Sequence, residues 1–198
     1  MNTAVQIRSA NRLSVEEYLA FIATRPDDER WQLIDGVAIL MNPPTLRHQS
    51  VARNLVFELT RHFRAKNLAY SALQEIGLTV PDVDRFRPEA DVAVVDDTID
   101  LDAAYADRFF LVTEIRSDSN TDDEIELKRQ RYMQHPDNLY CLVIAQTEVK
   151  VELWARASGW QQVELTRLDQ AIELPAFGLS IPLAALYQGT RVAGSVEP

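Results

Sequence analysis

The sequence predicts one α/β domain in which a mixed β-sheet of about six strands is flanked by two main helices. Apolar runs of strand length alternate along the chain with two longer segments of helical periodicity, a pattern typical of this fold class. The 198 residues are 46% hydrophobic, which is enough for one sizeable core. No internal repeat or linker interrupts the pattern. Residues 1–198 are therefore predicted to form a single domain, with the core at about 13–187 and mobile tails.

Two helices are predicted in the first third of the chain. Ser14 is a suitable N-cap and Glu17 stands three residues later, as in a capping box, so a first helix is expected to run to about residue 23. The longest helical pattern covers residues 48–66, and His48 lies on the same side as its apolar stripe. That stripe consists of Val51, Leu55, Leu59 and Phe63.

The predicted strands are short apolar or alternating runs bounded by turn residues. They cover residues 31–34, 37–41, 69–80, 90–95, 109–114, 139–145, 150–156 and 160–166. Asp35 and Gly36 are expected to join the first two strands as a hairpin. The alternating run 150–156 is predicted to lie antiparallel to the buried strand 139–145. Residues 96–107 are predicted to form an acidic loop or a short helix.

The net charge of −10 weighs against avid, non-specific binding of nucleic acid, because phosphate contacts need Lys and Arg. A local basic patch on or beside two of the helices stays open. Ordinary solvated helix faces are the alternative, and the overall charge favours it. The basic residues concerned are Arg47, Arg53, Arg61, Arg64 and Lys66 along the longest helix, and Lys128, Arg129 and Arg131 further on.

Three features predict a cytoplasmic protein that does not enter a membrane. No apolar run approaches the ~20 residues that span a bilayer. The first residues lack the apolar region of a secretory signal. Cys141 lies inside the apolar run LYCLVIA, so it is expected to be a buried core thiol rather than a disulfide partner or a nucleophile.

A lysine on an apolar helix face is the most unusual feature of the sequence. A strand of apolar residues ends on Glu114, and a polar segment then leads into a helix predicted at 123–134. Ile125, Lys128 and Tyr132 share one face of this helix. Because a buried ammonium is costly without an anionic partner, Lys128 is predicted to pair with Glu114.

Asp91, Glu114 and Lys128 together indicate a metal-assisted hydrolysis of phosphodiesters. Two carboxylates brought together by neighbouring strands repel each other, and a divalent cation removes that repulsion. Mg²⁺ prefers oxygen ligands and keeps waters for a substrate, while a nearby lysine stabilises charge on a phosphoryl group. Spacing alone also permits the alternative that these are strand-end acids, with Glu124 and Lys128 forming an i, i+4 surface pair.

Several stretches stand in a specific order along most of the chain. They are Leu33-Ile34-Asp35-Gly36, Pro43-Pro44, His48, residues 87–95, residues 113–117, Lys128 and Tyr132. In this order and spacing they resemble the Uma family of putative restriction endonucleases, within the PD-(D/E)XK nuclease superfamily. The resemblance implies a restriction endonuclease-like mixed β-sheet flanked by helices, with a metal site at the split edge of the sheet.

The same resemblance implies catalytic roles for Asp91, Glu114 and Lys128. Asp91 and Glu114 would hold Mg²⁺, or Mn²⁺ in its place, and the backbone carbonyl of Ile115 would complete the coordination. The lysine that usually stands two residues after the second acid is absent, because that position is Arg116. Lys128 on the following helix would take over its role.

Three further residues are accessory candidates by the same resemblance. His48 matches the family histidine, which implies a contact to a phosphate or a water. Tyr132 matches an aromatic residue that walls the site. Gln32 stands where the family usually has an acid, and a neutral amide binds a metal more weakly than a carboxylate does.

The function implied by the resemblance is that of a Mg²⁺-dependent endonuclease acting on nucleic acid, with DNA expected. Cutting both strands of a duplex calls for two sites, so a homodimer is expected. Gln32 motivates a second hypothesis, a catalytically lapsed nuclease-fold domain that binds nucleic acid or a protein partner. The third hypothesis is an α/β interaction protein with an accidental match, in which Asp91, Glu114 and Lys128 do not converge.

Overall fold

The computed structural model describes residues 12–117 and 121–192, and it confirms the predicted α/β fold class. The helices are α1 (Val15–Ile22), α2 (Leu46–Lys66), α3 (Asp122–Gln134) and α4 (Leu183–Leu186). The strands are β1 (Trp31–Ile34), β2 (Val37–Leu40), β3 (Tyr70–Leu78), β4 (Glu89–Asp96), β5 (Tyr105–Ala106), β6 (Leu111–Arg116), β7 (Tyr140–Ala145), β8 (Val151–Ala155), β9 (Gln162–Leu165), β10 (Ala171–Leu174) and β11 (Leu179–Pro182). The tails predicted to be mobile fall largely on residues 1–11 and 193–198, which lie outside the described residues, as does part of the predicted polar loop, residues 118–120.

The central sheet contains the six long strands that the sequence predicts, in the order β3-β4-β6-β7-β8-β9, with β5 added beside β3. β6 and β7 run parallel because α3 carries the chain across between them. β3 and β5 are also parallel, whereas the remaining neighbours are antiparallel. The sheet is therefore mixed, and β8 lies antiparallel to β7 as predicted.

Residues 97–104 form a loop, as predicted for most of the acidic segment 96–107, and the loop ends in the edge strand β5, which was not predicted. Tyr105 and Ala106 pair with Gly77 and Leu78, and the N–H of Thr79 donates to the carbonyl of Ala106 at 2.8 Å. A strand of two residues is too short for an alternating pattern, so no periodic signal marks it in the sequence.

The predicted hairpin forms, but β1 and β2 make a separate two-stranded sheet. Asp35 and Gly36 have φ angles of 48° and 81°, as a tight two-residue turn between twisted strands requires. Reciprocal backbone hydrogen bonds of 2.9 and 2.8 Å join Leu33 to Arg87, just before β4 begins. This attachment brings Gln32 on β1 close to the first residues of β4 and the start of α3.

The two main helices pack on opposite faces of the sheet. Along β4, Val92 and Val94 belong to the core that contains the apolar stripe of α2. Ala93 and Val95 belong to the second core, under α3. Ala90 also belongs to this second core, so the alternation breaks at Asp91, whose Oδ2 lies 3.2 Å from His48 Nε2 on α2.

Two further predictions concern membranes and the cysteine. Within the described ranges, no helix is long and apolar enough to cross a membrane. Cys141 is buried and accepts a hydrogen bond from Asn138 Nδ2 at 3.2 Å. Burial raises the pKa of this thiol to about 12, so it is a core residue, as predicted, and not a nucleophile.

Candidate active site

Two carboxylates meet where the ladder between β4 and β6 ends. The register pairs Val92 with Thr113, so one step further places Asp91 beside Glu114. There the N–H of Ile115 donates to Asp91 Oδ2 at 2.5 Å, instead of to a backbone carbonyl of β4. The side chain of Asp91 thus terminates the ladder and opens a gap between the two strands.

Glu114 is buried against the face of α3, with only 5% of the residue exposed. Lys128 Nζ donates to its Oε2 at 2.7 Å, and the hydroxyl of Tyr132 donates to its Oε1 at 2.7 Å. Lys128 also donates to the carbonyl of Glu89 at 2.9 Å. Lys128 and Tyr132 stand four residues apart on α3, which explains how both reach one carboxylate.

The alternative that Glu124 and Lys128 form a surface pair is wrong. Lys128 is 2% exposed and Glu124 is 6% exposed, so both lie inside the protein. The predicted partner of the lysine, Glu114, is the one that it contacts. A lysine this deeply buried is held in place by its carboxylate, because water cannot solvate its charge.

Burial, with a smaller contribution from the charge of Asp91, raises the pKa of Glu114 from its ordinary value of 4.5 to about 7. Lys128 and Tyr132 oppose this shift, but they do not cancel it. Burial and the neighbouring Glu114 carboxylate also raise the pKa of Tyr132 well above that of a free tyrosine, so its hydroxyl stays a donor. Burial therefore favours the neutral form of the Glu114 carboxyl in spite of the lysine beside it.

This raised pKa predicts a pH dependence of stability in protein freed of divalent cations. Between about pH 4.5 and about pH 7, Glu114 is ionised in the unfolded chain but protonated in the folded one, so the folded state binds more protons. The contribution of Glu114 to the free energy of unfolding therefore falls as pH rises through that window. Urea unfolding at about pH 5.5 and about pH 8 measures it by comparing wild type with Glu114→Gln. Parallel pH curves for the two proteins would contradict the assignment.

His48 holds the other carboxylate. Thr45 caps α2 by accepting from the N–H of His48 at 3.2 Å, and the ring Nε2 of His48 lies 3.2 Å from Asp91 Oδ2. Burial alone lowers the pKa of His48, but the hydrogen bond to Asp91 and the charges of Asp91 and Glu114 outweigh it, so the pKa is raised overall. His48, predicted as an accessory residue, thus faces the site and contacts the carboxylate of Asp91 directly.

Gln32 lies beside Glu124, a residue that the sequence reasoning did not include in the site. Gln32 Nε2 is 3.4 Å from Glu124 Oε1, and Gln32 is 3% exposed. Gln32 Oε1 is buried and has no hydrogen-bond partner among the described residues, which is unusual for a carbonyl oxygen inside a protein. The spacing of Glu124 four residues before Lys128, on the buried face of α3, is the signal that could have identified it.

Arg116, at the position where a lysine is usual, points away from the two acids. Its guanidinium forms ion pairs with Asp122 and with Glu152, the latter at 3.2 Å. Lys128, and not the residue at position 116, therefore supplies the positive charge next to Glu114, as predicted from the sequence.

The residues at the gap between β4 and β6 fit a Mg²⁺ ion. The carboxylates of Asp91 and Glu114 are hard oxygen donors, and the carbonyl of Ile115 faces the same side as its N–H, toward Asp91. In the part of the chain that the structure describes, no group of three or more His, Cys, Asp and Glu residues is placed to hold a metal. A set of two carboxylates and a carbonyl still suits Mg²⁺, which typically keeps several waters.

Asp91, Glu114, Ile115, Lys128 and Tyr132 all meet at this gap, and His48 reaches it from α2. Among the residues predicted from the sequence, Gln32 is the exception, because its side chain contacts Glu124 and not the two carboxylates at the gap.

A model of the Uma2 family, described as putative restriction endonuclease, matches residues 15–184. The chain belongs to the Uma2 family. This confirms the resemblance, and the match is not accidental. Uma2 membership supports a nuclease at the level of the family, and the third hypothesis is set aside because Asp91, Glu114 and Lys128 converge.

A solved structure shares the Uma2 fold seen here. It is the crystal structure of a putative nuclease belonging to DUF820 from Anabaena variabilis ATCC 29413, with a TM-score of 0.74 and 14% sequence identity. The alignment covers 90% of this chain and 99% of the other one. No curated protein matches the chain. At this identity the similarity shows the fold alone, which agrees with the restriction endonuclease-like architecture predicted from the sequence.

Proposed function

We propose that this Uma2 protein is a Mg²⁺-dependent endonuclease that hydrolyses phosphodiester bonds of DNA. The observation that carries the proposal is the meeting of two carboxylates, Asp91 and Glu114, at the end of one strand ladder, where Glu114 is paired with a fully buried lysine. Burying these charges costs stability, and such arrangements are found where chemistry needs them. The DNA substrate is proposed from the family description, and a homodimer is proposed because a duplex has two strands to cut.

Each side chain of the site has a role that follows from its contacts. Asp91, Glu114 and the carbonyl of Ile115 would hold the cation, which when bound supplies a water of lowered pKa and neutralises charge on the phosphate. Lys128 fixes one oxygen of Glu114 and carries a positive charge at the place where negative charge would develop on a phosphoryl group.

Two neighbouring residues position the carboxylates. Tyr132 donates to the other oxygen of Glu114, which fixes the plane of that carboxylate from its second side. His48 contacts Asp91 Oδ2, the same oxygen that receives the N–H of Ile115, so the remaining oxygen of Asp91 is directed away from both donors. Such fixed orientation lowers the reorganisation that catalysis requires.

Incubation with supercoiled plasmid and with labelled linear DNA tests the proposal. We expect nicked or linear products in Mg²⁺ or Mn²⁺, and none after the cation is removed with EDTA. RNA of the same sequence serves as the comparison substrate. If none of these nucleic acids is cut in either cation, the catalytic proposal is wrong.

A second candidate function is a lapsed nuclease that binds nucleic acid or a protein without cutting. Gln32 favours it, because the amide stands beside Glu124 where the family usually has an acid, and its buried oxygen has no donor within the residues that the structure describes. Both oxygens of Glu114 also already accept hydrogen bonds from the chain itself. Retained binding of DNA without any cleavage would favour this candidate over the enzyme.

Gln32→Glu should strengthen cation binding and weaken the cation-free protein. The change adds a second carboxylate next to Glu124 in a buried place, and like charges there cost about 1–3 kcal/mol of unfolding free energy until a cation or a proton compensates them. Mg²⁺ titration followed by thermal unfolding measures both effects. Gln130→Glu, which adds the same charge on the exposed side of α3, is the matched control. Equal Mg²⁺ affinities in the two variants and wild type would contradict the prediction.

A further inference from the structure

Positive charge is concentrated on α2 in a chain that is otherwise strongly acidic. Five of the 20 Lys and Arg residues lie in the 21 residues of this helix, together with one of the 30 acids, Glu58. The helix therefore has a net charge of +4, whereas the whole chain has −10. The overall charge of the sequence favours an ordinary solvated face here, but the placement of these residues in the fold argues for a different role.

The outer face of α2, defined as Arg53, Phe57, Arg61 and Arg64, lies opposite the core. Their spacings of i, i+4, i+8 and i+11 keep them on one side of the helix. Phe57 is 60% exposed, whereas every other Phe, Tyr and Trp within residues 12–117 and 121–192 is buried or half-buried. Single exposed apolar residues are common, but this one is the sole exposed aromatic in the described part of the chain, and it stands among three arginines.

The charge of this face is only partly compensated. Arg61 pairs with Glu58, whereas the described contact of Arg53 is a neutral one, to Asn54 Oδ1 at 3.1 Å. Within the described ranges Arg64 has no ion pair. Two guanidinium groups on either side of an exposed ring are thus directed to solvent, where an anionic partner can reach them.

The outer face connects to the candidate active site through the first turn of α2. Arg47 is exposed and precedes His48, which contacts Asp91. That turn contains no acid, so the positive end of the helix dipole adds to the charge of Arg47. From Arg47 to Arg64 the helix extends about 26 Å at about 1.5 Å per residue, a length that several nucleotides would span.

We propose that the outer face of α2 binds a single-stranded segment of the nucleic acid that the site acts on. The arginines would contact phosphates and Phe57 would stack on an unpaired base. Arginine with an exposed aromatic ring is the combination that holds single strands without sequence preference. A polyanion is repelled by most of this acidic chain, so its binding is directed to this helix. The inference rests on the proposed function, because it assumes that the bound strand is the substrate.

Fluorescence anisotropy of a labelled oligothymidine of about 20 nucleotides tests the proposal in EDTA, where no cleavage occurs. Phe57→Ala should weaken binding of this strand by roughly 5- to 150-fold, and binding of a duplex much less. The double variant Arg53→Ala/Arg64→Ala should lower the slope of log affinity against log salt by about 1.4. The matched controls are Leu101→Ala, an exposed apolar residue, and Arg167→Ala, an exposed arginine paired with Asp169.

The outcomes separate this proposal from the proposed function. If wild type cuts DNA in Mg²⁺ while the variants of the outer face bind the single strand as wild type does, the surface proposal is overturned and the enzyme stands. If wild type binds the strand through this face but never cuts, the surface proposal stands and the catalytic one fails. If Phe57→Ala changes the sedimentation coefficient of the protein but not its affinity for the oligonucleotide, the outer face of α2 is a contact between two copies of the chain. That result would overturn the proposal.

Discussion

Lys128→Met is expected to destabilise the cation-free protein by about 3–5 kcal/mol at about pH 8, above the pKa of about 7 of Glu114, because the carboxylate of Glu114 is then left buried without its partner. The methionine fills a similar volume, so lost packing contributes little. The free carbonyl of Glu89 would add to the cost, since Lys128 is also its donor. Urea unfolding at constant ionic strength measures the change in the free energy of unfolding.

Two control variants identify the cause of that loss. Lys128→Met/Glu114→Gln removes both charges and should recover most of the lost stability, because the buried pair is then neutral. Lys150→Met breaks an ion pair with Glu164 at the surface and should cost less than about 1 kcal/mol. If Lys128→Met also lowers the free energy of unfolding by less than about 1 kcal/mol, the buried pair of Lys128 and Glu114 does not stabilise the fold more than a surface ion pair does.

Asp91→Asn should reduce cation-dependent cleavage by about 10³-fold while the protein stays folded. The amide has almost the same shape and its oxygen can still accept the N–H of Ile115, but it lacks the charge that attracts a divalent cation. A loss of several kcal/mol in stabilisation of the transition state corresponds to that factor. Initial rates on a labelled DNA substrate at saturating Mg²⁺ give the comparison.

Asp96→Asn is the matched control for this variant, because Asp96 lies at the other end of β4 and pairs with Arg108. It should leave the cleavage rate unchanged. Cleavage by Asp91→Asn at a rate close to that of Asp96→Asn would remove Asp91 from the catalytic centre. Circular dichroism of both variants verifies that the sheet is intact.

Much of the fold could be predicted because local signals and packing agree. Ser14 and Glu17 form the predicted capping box at the start of α1, and Asp35 with Gly36 forms the predicted turn. The strand and helix periods of the core elements match their burial, so pattern alone places them. The pairing of Lys128 with Glu114 could be predicted for the same kind of reason, since a lysine on an apolar face requires a partner.

Other features depend on contacts between distant segments, which a single sequence does not reveal. The attachment of the hairpin through Leu33 and Arg87 uses backbone groups, and these have no residue signature. The burial of Glu124 follows from that attachment, because Gln32 covers it only once the hairpin is in place. β5 is a two-residue edge strand whose pairing is set by its neighbour, not by its own composition.

Isothermal titration calorimetry with Mg²⁺ and Mn²⁺ tests whether Asp91 and Glu114 form a cation site. We expect a binding isotherm for wild type, alone or with a non-hydrolysable oligonucleotide that supplies phosphate oxygens, and none for Asp91→Asn under the same conditions. Equal binding by both proteins would place the cation elsewhere. Absence of binding in both, even with the oligonucleotide present, would contradict the metal-dependent account.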